Sequence, residues 1–190
     1  MSQENIPRKI AKARELLGSR AFSLQELAAQ TGLSSTYLQK QFKLHYGLSP
    51  AEFSAQQKLI KLKKNLRQSD DVMQAWVDSG FGSSSRIYEN GAAKLGMLPV
   101  AYKKGGAGLI IHWTYCETLL GATLVAATER GICAVILGDN QQRLLAELHA
   151  EFPNAVLNFV EDNHQVIAEK VQHVARILSG KASAASIELL

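Results

Sequence analysis

Cysteine is scarce in this chain, with two among 190 residues, Cys116 and Cys133. Two thiols far apart and without a partner pattern exclude a disulfide framework and fit a reducing cytosol. Long apolar runs are lacking as well. Hydrophobic residues make up 46% of the chain, enough for an ordinary core, yet no stretch approaches a membrane span. The opening MSQENIPRKI has no apolar h-region, so no secretory signal is expected. No glycine-rich stretch has the spacing of a phosphate loop or a dinucleotide fold, and the run at Gly105 has neither a strand before it nor a helix cap after it. His45, His112, His149, His164 and His173 are scattered, and none stands at ligand spacing from a cysteine. No metal and no cofactor are therefore expected.

Acidic charge is short in one half only. Residues 1–104 hold 16 Lys and Arg against 8 Asp and Glu, a balance of +8, whereas residues 105–190 hold 5 against 9, a balance of −4. The whole basic surplus sits on the first half, which is the kind of surface that phosphate attraction needs.

That half is organised around FSLQELAAQTGLSSTYLQKQFKLHYGLSPAEF, residues 22–53. It reads as two short helices and a tight turn. Ser23 caps the first helix, and Glu26 three residues on can close a capping box. Leu24, Leu27 and Ala28 supply a buried stripe. Gly32 gives the permissive backbone of the turn, and Ser34 caps the second helix. Leu38 and Phe42 face inward, leaving Ser35, Thr36, Gln39, Lys40 and Lys43 on a basic outer face with no acid between Ser34 and Tyr46. Such a face suits a helix in a major groove.

A second copy follows at residues 70–102, with Val72, Ala75, Trp76 and Ser79 at helical spacing and a turn at Gly80-Phe81-Gly82. Ser83, Ser84, Ser85 and Arg86 open its outer helix and suit phosphate contact and capping. Gly47-Leu48-Ser49-Pro50 closes the first copy and Gly96-Met97-Leu98-Pro99 the second. Between them Pro50 to Arg67 reads as one helix, with Ser49 and Glu52 as a capping box. Its apolar side is Phe53, Leu59, Ile60, Leu62 and Leu66, and its wet side Lys58, Lys61, Lys63, Lys64 and Arg67. Such a helix fixes the separation of two outer helices, and successive major-groove faces are about 34 Å apart. An opening helix, Pro7 to Leu17, precedes the first copy, with Gly18 expected to end it.

Two such units, a connecting helix and the FK…GLSP tail resemble the DNA-binding domain of the AraC/XylS family of transcription regulators, over roughly Pro7 to Lys104. The resemblance implies double-stranded DNA as partner, with RNA polymerase as a further candidate partner. The second copy departs from the family pattern. Gly91 stands where the family usually has a core Phe, Glu89 where it often has a basic residue, and Leu98 where it has Ser or Thr.

Lys103 to Gly108 reads as a linker, because three glycines in four residues do not favour a packed element. The division expected is a helical domain over 1–104, a linker over 105–108 and a second domain over 109–190. In the last, strands are expected at Leu109 to Thr114, Leu119 to Glu129 and Ile132 to Leu137, close enough to make an antiparallel meander. A helix from Gln141 to Phe152 capped by Asp139, an edge strand from Val156 to Val160 and a helix from Asn163 to Leu178 complete it. The stretch WTYCETLLGATLVAATERGICAVILGDN and the later AEFPNA resemble the ribonuclease-like domain that precedes the catalytic domain of O6-methylguanine-DNA methyltransferases. Fusion to an AraC-type domain through YKKGG narrows the resemblance to Ada-type regulators and alkyltransferases of the adaptive response. That family also carries a metal-bound cysteine module and a methyl-accepting domain with the tetrapeptide Pro-Cys-His-Arg, which this sequence lacks. The expectation is a fragment or truncated product, with the methyl-accepting domain as a further candidate partner.

The fold expected is therefore an all-α double helix-turn-helix domain followed by a small ribonuclease H-like α+β domain. No catalytic residue is expected. Cys133 lies in an apolar strand and reads as core, and Glu117 beside Cys116 disfavours a thiolate. Glu117, Glu129 and Asp139 read as turn and cap residues rather than a nuclease cluster. The function expected is sequence-specific DNA binding and transcription regulation in a cytoplasmic protein tied to the alkylation response. The alternative is a portion of a methylated-DNA–protein-cysteine methyltransferase, incomplete without its acceptor cysteine.

Overall fold

The computed structural model describes residues 5–82, 87–161 and 164–179, with the backbone alone over 87–90. The described chain forms two compact units, the first comprising the residues up to Leu62 with Ser79–Phe81, the second Lys63–Asp78 with the residues from Gly82 on. The division between these compact units falls inside a helix, between Leu62 and Lys63.

In the first unit, α1 (Ile6–Ser19), α2 (Leu24–Thr31), α3 (Ser35–Tyr46) and the first part of α4 (Pro50–Gln68) surround one core. Ile10, Ala13 and Leu17 of α1 meet Leu27 and Ala28 of α2, Leu33 of the turn, and Leu38 and Phe42 of α3. These are the apolar positions at helical spacing, and they bury because no other face of these helices is apolar. Gly18 does not end α1. The helix runs through it to Ser19 and is closed by the Arg20 N–H donating to Leu16 O. A glycine inside a helix costs only about 1 kcal/mol, which packing of Leu17 overrides. Ile60 of α4, expected inward, is 61% exposed. The Ser79–Phe81 turn of the second copy lies over α4, with Lys58 Nζ 6.0 Å from the Phe81 ring centroid.

The second unit holds the rest of α4, α5 (Val72–Asp78), α6 (Ile87–Leu95), α7 (Pro99–Lys103), β1 (Ile110–Thr118), β2 (Gly121–Thr128), β3 (Gly131–Gly138), α8 (Gln141–Glu151), β4 (Val156–Phe159) and α9 (Ala168–Leu178). The sheet order is β3-β2-β1-β4. The antiparallel meander β1-β2-β3 is present, and β4 adds to its edge parallel to β1, so the sheet is mixed. Val171 and Val174 of α9 pack with Val125 and Ala127 against one face of β2, and α8 lies against β2 and β3. That cover accounts for the unbroken burial of Thr123 to Thr128.

Several boundaries differ from the sequence reading, for local reasons. β1 runs on to Thr118, and β2 starts at Gly121 rather than Leu119. Thr118 pairs with Gly121 across a two-residue turn, where Thr118 Oγ1 accepts from the Leu120 N–H. This leaves Leu119 and Leu120 exposed at the tip. The cap of α8 is Asn140, which accepts from the Arg143 N–H, not Asp139. α9 begins at Ala168, after a turn in which His164 O accepts from Ile167 and Ala168.

The stretch after Lys103, residues 104–108, is not an extended tether but a run of turns. The Gly105 N–H donates to Tyr102 O, the Gly106 N–H to Ala101 O, and Gly105 O accepts from the Asn154 N–H. Gly105 and Gly106 have φ of 62° and 80°, and a Cβ on Gly106 would stand 2.8 Å from that of Ala155. Glycine here permits a left-handed backbone under close packing, not slack. Gly91 also fills a packed place. A Cβ there would lie 2.7 Å from Pro99 Cγ and 3.2 Å from Trp76 Cζ3, so those two rings leave no space for a larger residue at this position.

Candidate nucleic-acid interface

The first outer helix, α3, is fixed at both ends. Ser34 accepts from the Tyr37 N–H at its start, and Gly47, in the left-handed region, donates to Lys43 O at its end. α2 is held just as firmly. Ser23 Oγ accepts from the Glu26 N–H, and Glu26 accepts from the Ser23 N–H at 2.7 Å. Gly32 turns the chain between them with φ 63°. Two lysines of α1 secure that turn, Lys9 Nζ donating to Gly32 O and Lys12 Nζ to Gln30 O. Basic groups at the C-terminal end of α2 also favour its dipole.

With Leu38 and Phe42 fully buried, α3 must present its opposite face to solvent. Thr36, Gln39, Lys40 and Lys43 are all exposed there, and Ser35 is half-buried in the first turn. Four of these sequence-predicted residues come together with Leu44 as the lining of one shallow, open depression. Leu44 is an addition that the sequence reading does not single out. Its signal in the sequence was its place two residues after Phe42, off the inward stripe.

Charge on this face is not isolated from the rest of the unit. Ser49 and Glu52 form the expected capping box of α4. The hydrogen bonds from Ser49 hold the Glu52 carboxyl below its usual range, and the Lys43 charge adds to the effect. So a carboxylate from α4 stands near Lys43, a neighbour no spacing within α3 reveals. Arg14 of α1 lies 5.6 Å from the Tyr46 ring centroid, at a distance where a cation gains from an aromatic face.

For the second copy, Ala75, Trp76 and Ser79 are buried, and Trp76 Nε1 donates to Gly82 O at 3.1 Å. Ser83, Ser84, Ser85 and Arg86 lie outside the described residues, as does the Glu89 side chain. Gly96 at the close of this copy approaches β3 so nearly that a Cβ would collide with Ile132 O, and Gly96 O accepts from Thr128 Oγ1. Lys63 and Arg67, expected on the wet side of α4, instead engage Glu151 of α8, with Lys63 Nζ 3.4 Å from Oε1. The Tyr102 hydroxyl donates to the same carboxylate. Burial raises the Glu151 pKa, but the Tyr102 hydrogen bond and the two cations outweigh it, and the net shift is downward. Burial and then Glu151 push the Tyr102 hydroxyl up.

The other candidate chemistry is dispersed. Cys133 is the extra residue of a β-bulge, between the pairs Ala126–Ala134 and Ala127–Ile132. Burial pushes its thiol up to about 12. Glu129 follows the end of β2 opposite to Glu117 and Asp139. His112 and His164 do come together, with rings stacked at 5.0 Å, and His112 Nδ1 meets Asn158 Nδ2 at 3.2 Å. No group of three His, Cys, Asp or Glu that could hold a metal ion occurs among the described residues. No helix there is long and apolar enough to cross a membrane.

Capped helices α2 and α3 across a glycine turn, a second helix pair, α5 and α6, and a small mixed sheet with helices define the class: a helix-turn-helix protein with an appended α+β domain. Comparison with known proteins sharpens this. The helix-turn-helix domain family matches residues 27–105, and the ribonuclease-like domain of 6-O-methylguanine DNA methyltransferase matches residues 111–190. The chain is 31% identical over 179 residues to the bifunctional transcriptional activator/DNA repair enzyme Ada of Escherichia coli (strain K12), covering 94% of this chain and 49% of that protein. It is 34% identical over 148 residues to the regulatory protein ada of Salmonella typhimurium, covering 77% of this chain and 42% of that one. The chain is therefore Ada-like across both its parts, and spans about half the length of these curated relatives. No solved structure matches it.

Proposed function

We propose that the chain binds double-stranded DNA sequence-specifically and regulates transcription as part of an Ada-like response to DNA alkylation. The observation that carries this is the outward face of α3, where Thr36, Gln39, Lys40 and Lys43 stand exposed on a helix capped at both ends. Gln reads adenine and Lys reads guanine in the major groove, and the lysines also serve phosphates. Ser35 in the first turn suits a phosphate. In the second copy, Ser83, Ser84, Ser85 and Arg86 are assigned backbone contact from their place in the sequence. The basic balance of residues 1–104 and the Ada relatives support the reading.

The labour divides at the glycine run, DNA contact residing in 1–104 and the ribonuclease-like part in 109–190, a division supported by the family matches on either side. RNA polymerase is the proposed partner of the first part. A methyl-accepting domain is the proposed partner of the second, whose Leu119 and Leu120 stand exposed. A cytoplasmic location goes with this function.

Selection of a binding site from random duplexes, followed by titration at two salt concentrations, tests the reading. Gln39→Ala should lower binding to the selected site by about 1–3 kcal/mol and blur one or two base positions. Arg86→Ala should weaken all sequences about equally and reduce the salt slope by about one. If Arg86→Ala shifts base preference while Gln39→Ala does not, reading belongs to the second copy.

A further inference from the structure

The outward face of α3 carries an exposed apolar side chain among its polar ones. Leu44 is 74% exposed. It stands off the Leu38–Phe42 stripe that meets the core, and it lines the same depression as Thr36, Gln39, Lys40 and Lys43. A single exposed leucine is ordinary. This one is set apart by its row: Thr36, Lys40 and Leu44 recur every four residues, so they lie one above another along the helix.

Resting on the reading of α3 as the major-groove helix, we propose that Leu44 is a specificity-determining residue that selects thymine by covering its C5-methyl group. In the major groove, donors and acceptors make up most of each base edge, and the thymine methyl is its apolar feature. Thr36, Gln39 and Lys40 can serve the donors and acceptors, whereas Leu44 can serve none. Set against a cytosine amine it would remove water and return no hydrogen bond, which is unfavourable. Set against a methyl it buries apolar surface on both sides. Leu44 lies five residues beyond Gln39, about 7.5 Å along the helix axis. That is about two base steps at 3.4 Å each, so the thymine falls about two base pairs from the position that Gln39 reads, toward the C-terminal end of α3.

The test uses the full chain and its selected duplex, with each thymine replaced in turn by deoxyuridine, which lacks only the methyl. One replacement, about two base pairs from the position blurred by Gln39→Ala, should weaken binding about fourfold, the worth of one buried methyl. Leu44→Ala should weaken binding to the unmodified site, and with it that same replacement should cost nothing more. Leu44→Met should keep the penalty, since it retains an apolar side chain. Equal deoxyuridine penalties in the wild type and Leu44→Ala, or undiminished binding by Leu44→Ala, would overturn the proposal. If the wild type prefers no sequence over random DNA, the reading of α3 itself fails. If it does prefer one, and Gln39→Ala blurs it while the deoxyuridine scan is unaltered by Leu44→Ala, only the assignment of Leu44 fails.

Discussion

At the scale of the residue, Cys133 shows how burial decides chemistry. A thiol acts as nucleophile through its thiolate, and a group held at about 12 by burial keeps its proton at neutral pH. In native buffer at pH 8 a thiol reagent should modify Cys133 only as fast as the chain unfolds, and in denaturant at once. Peptide mass spectrometry over a time course checks this, and rapid labelling of Cys133 in the native chain would count against its buried place. The same logic extends to repair chemistry. After exposure to O6-methylguanine DNA, Cys133 should not gain the roughly 14 Da of a methyl group, because no thiolate is available to accept it. Gly91 makes a related point about size. A Phe at this position would collide with the Trp76 and Pro99 rings.

At the scale of the element, the glycine run is the instructive case. Read as composition, Lys103 to Gly108 is a tether. In the fold its amides and carbonyls are bonded to Tyr102, Ala101 and Asn154, and Asn154 Nδ2 donates to Lys104 O at 3.0 Å. Proteases need an unfolded segment of backbone, and bonded, packed turns do not supply one. Trypsin should therefore cut after Lys103 and Lys104 no faster than the chain unfolds. Gly106→Val, which combines a disfavoured φ with a clash at Ala155, should make those bonds labile by destabilising the turn by about 1–3 kcal/mol. Rapid cleavage of the wild type at Lys103 or Lys104, releasing two stable pieces, would show the run to be a tether after all.

At the scale of the whole molecule, Glu151 ties three elements of the second unit together: α4 through Lys63 and Arg67, α7 through Tyr102, and its own α8. Its folded pKa lies below the ordinary carboxylate value. The stability it contributes is thus fully present above that ordinary value and is lost as pH falls through the lowered folded one. Glu151→Gln should destabilise the second unit by about 1–3 kcal/mol at pH 7, less than a fully buried pair because Arg67 is partly exposed. The difference between mutant and wild type should shrink on acidification through the carboxylate range. Thermal or urea unfolding at a series of pH values checks both, and a difference constant with pH would mean that Glu151 acts through packing alone.

Taken by itself, the sequence determined what depends on neighbours a few residues away. The capping boxes at Ser23 and Ser49, the turn at Gly32, the inward stripe of Leu38 and Phe42, and the outward row of Thr36, Gln39, Lys40 and Lys43 all follow from helical period and short-range hydrogen bonding. The meander was legible for the same reason, as apolar runs divided by short turns. The tertiary structure alone decided what depends on residues far apart. It decided that β4 joins β1 in parallel, that Glu151 draws Lys63 and Arg67 off the wet face of α4, and that Glu52 stands near Lys43. It also decided that the compact boundary falls inside α4. No periodicity encodes these, because each depends on partners in different elements that shape and charge bring together once the chain has closed on itself.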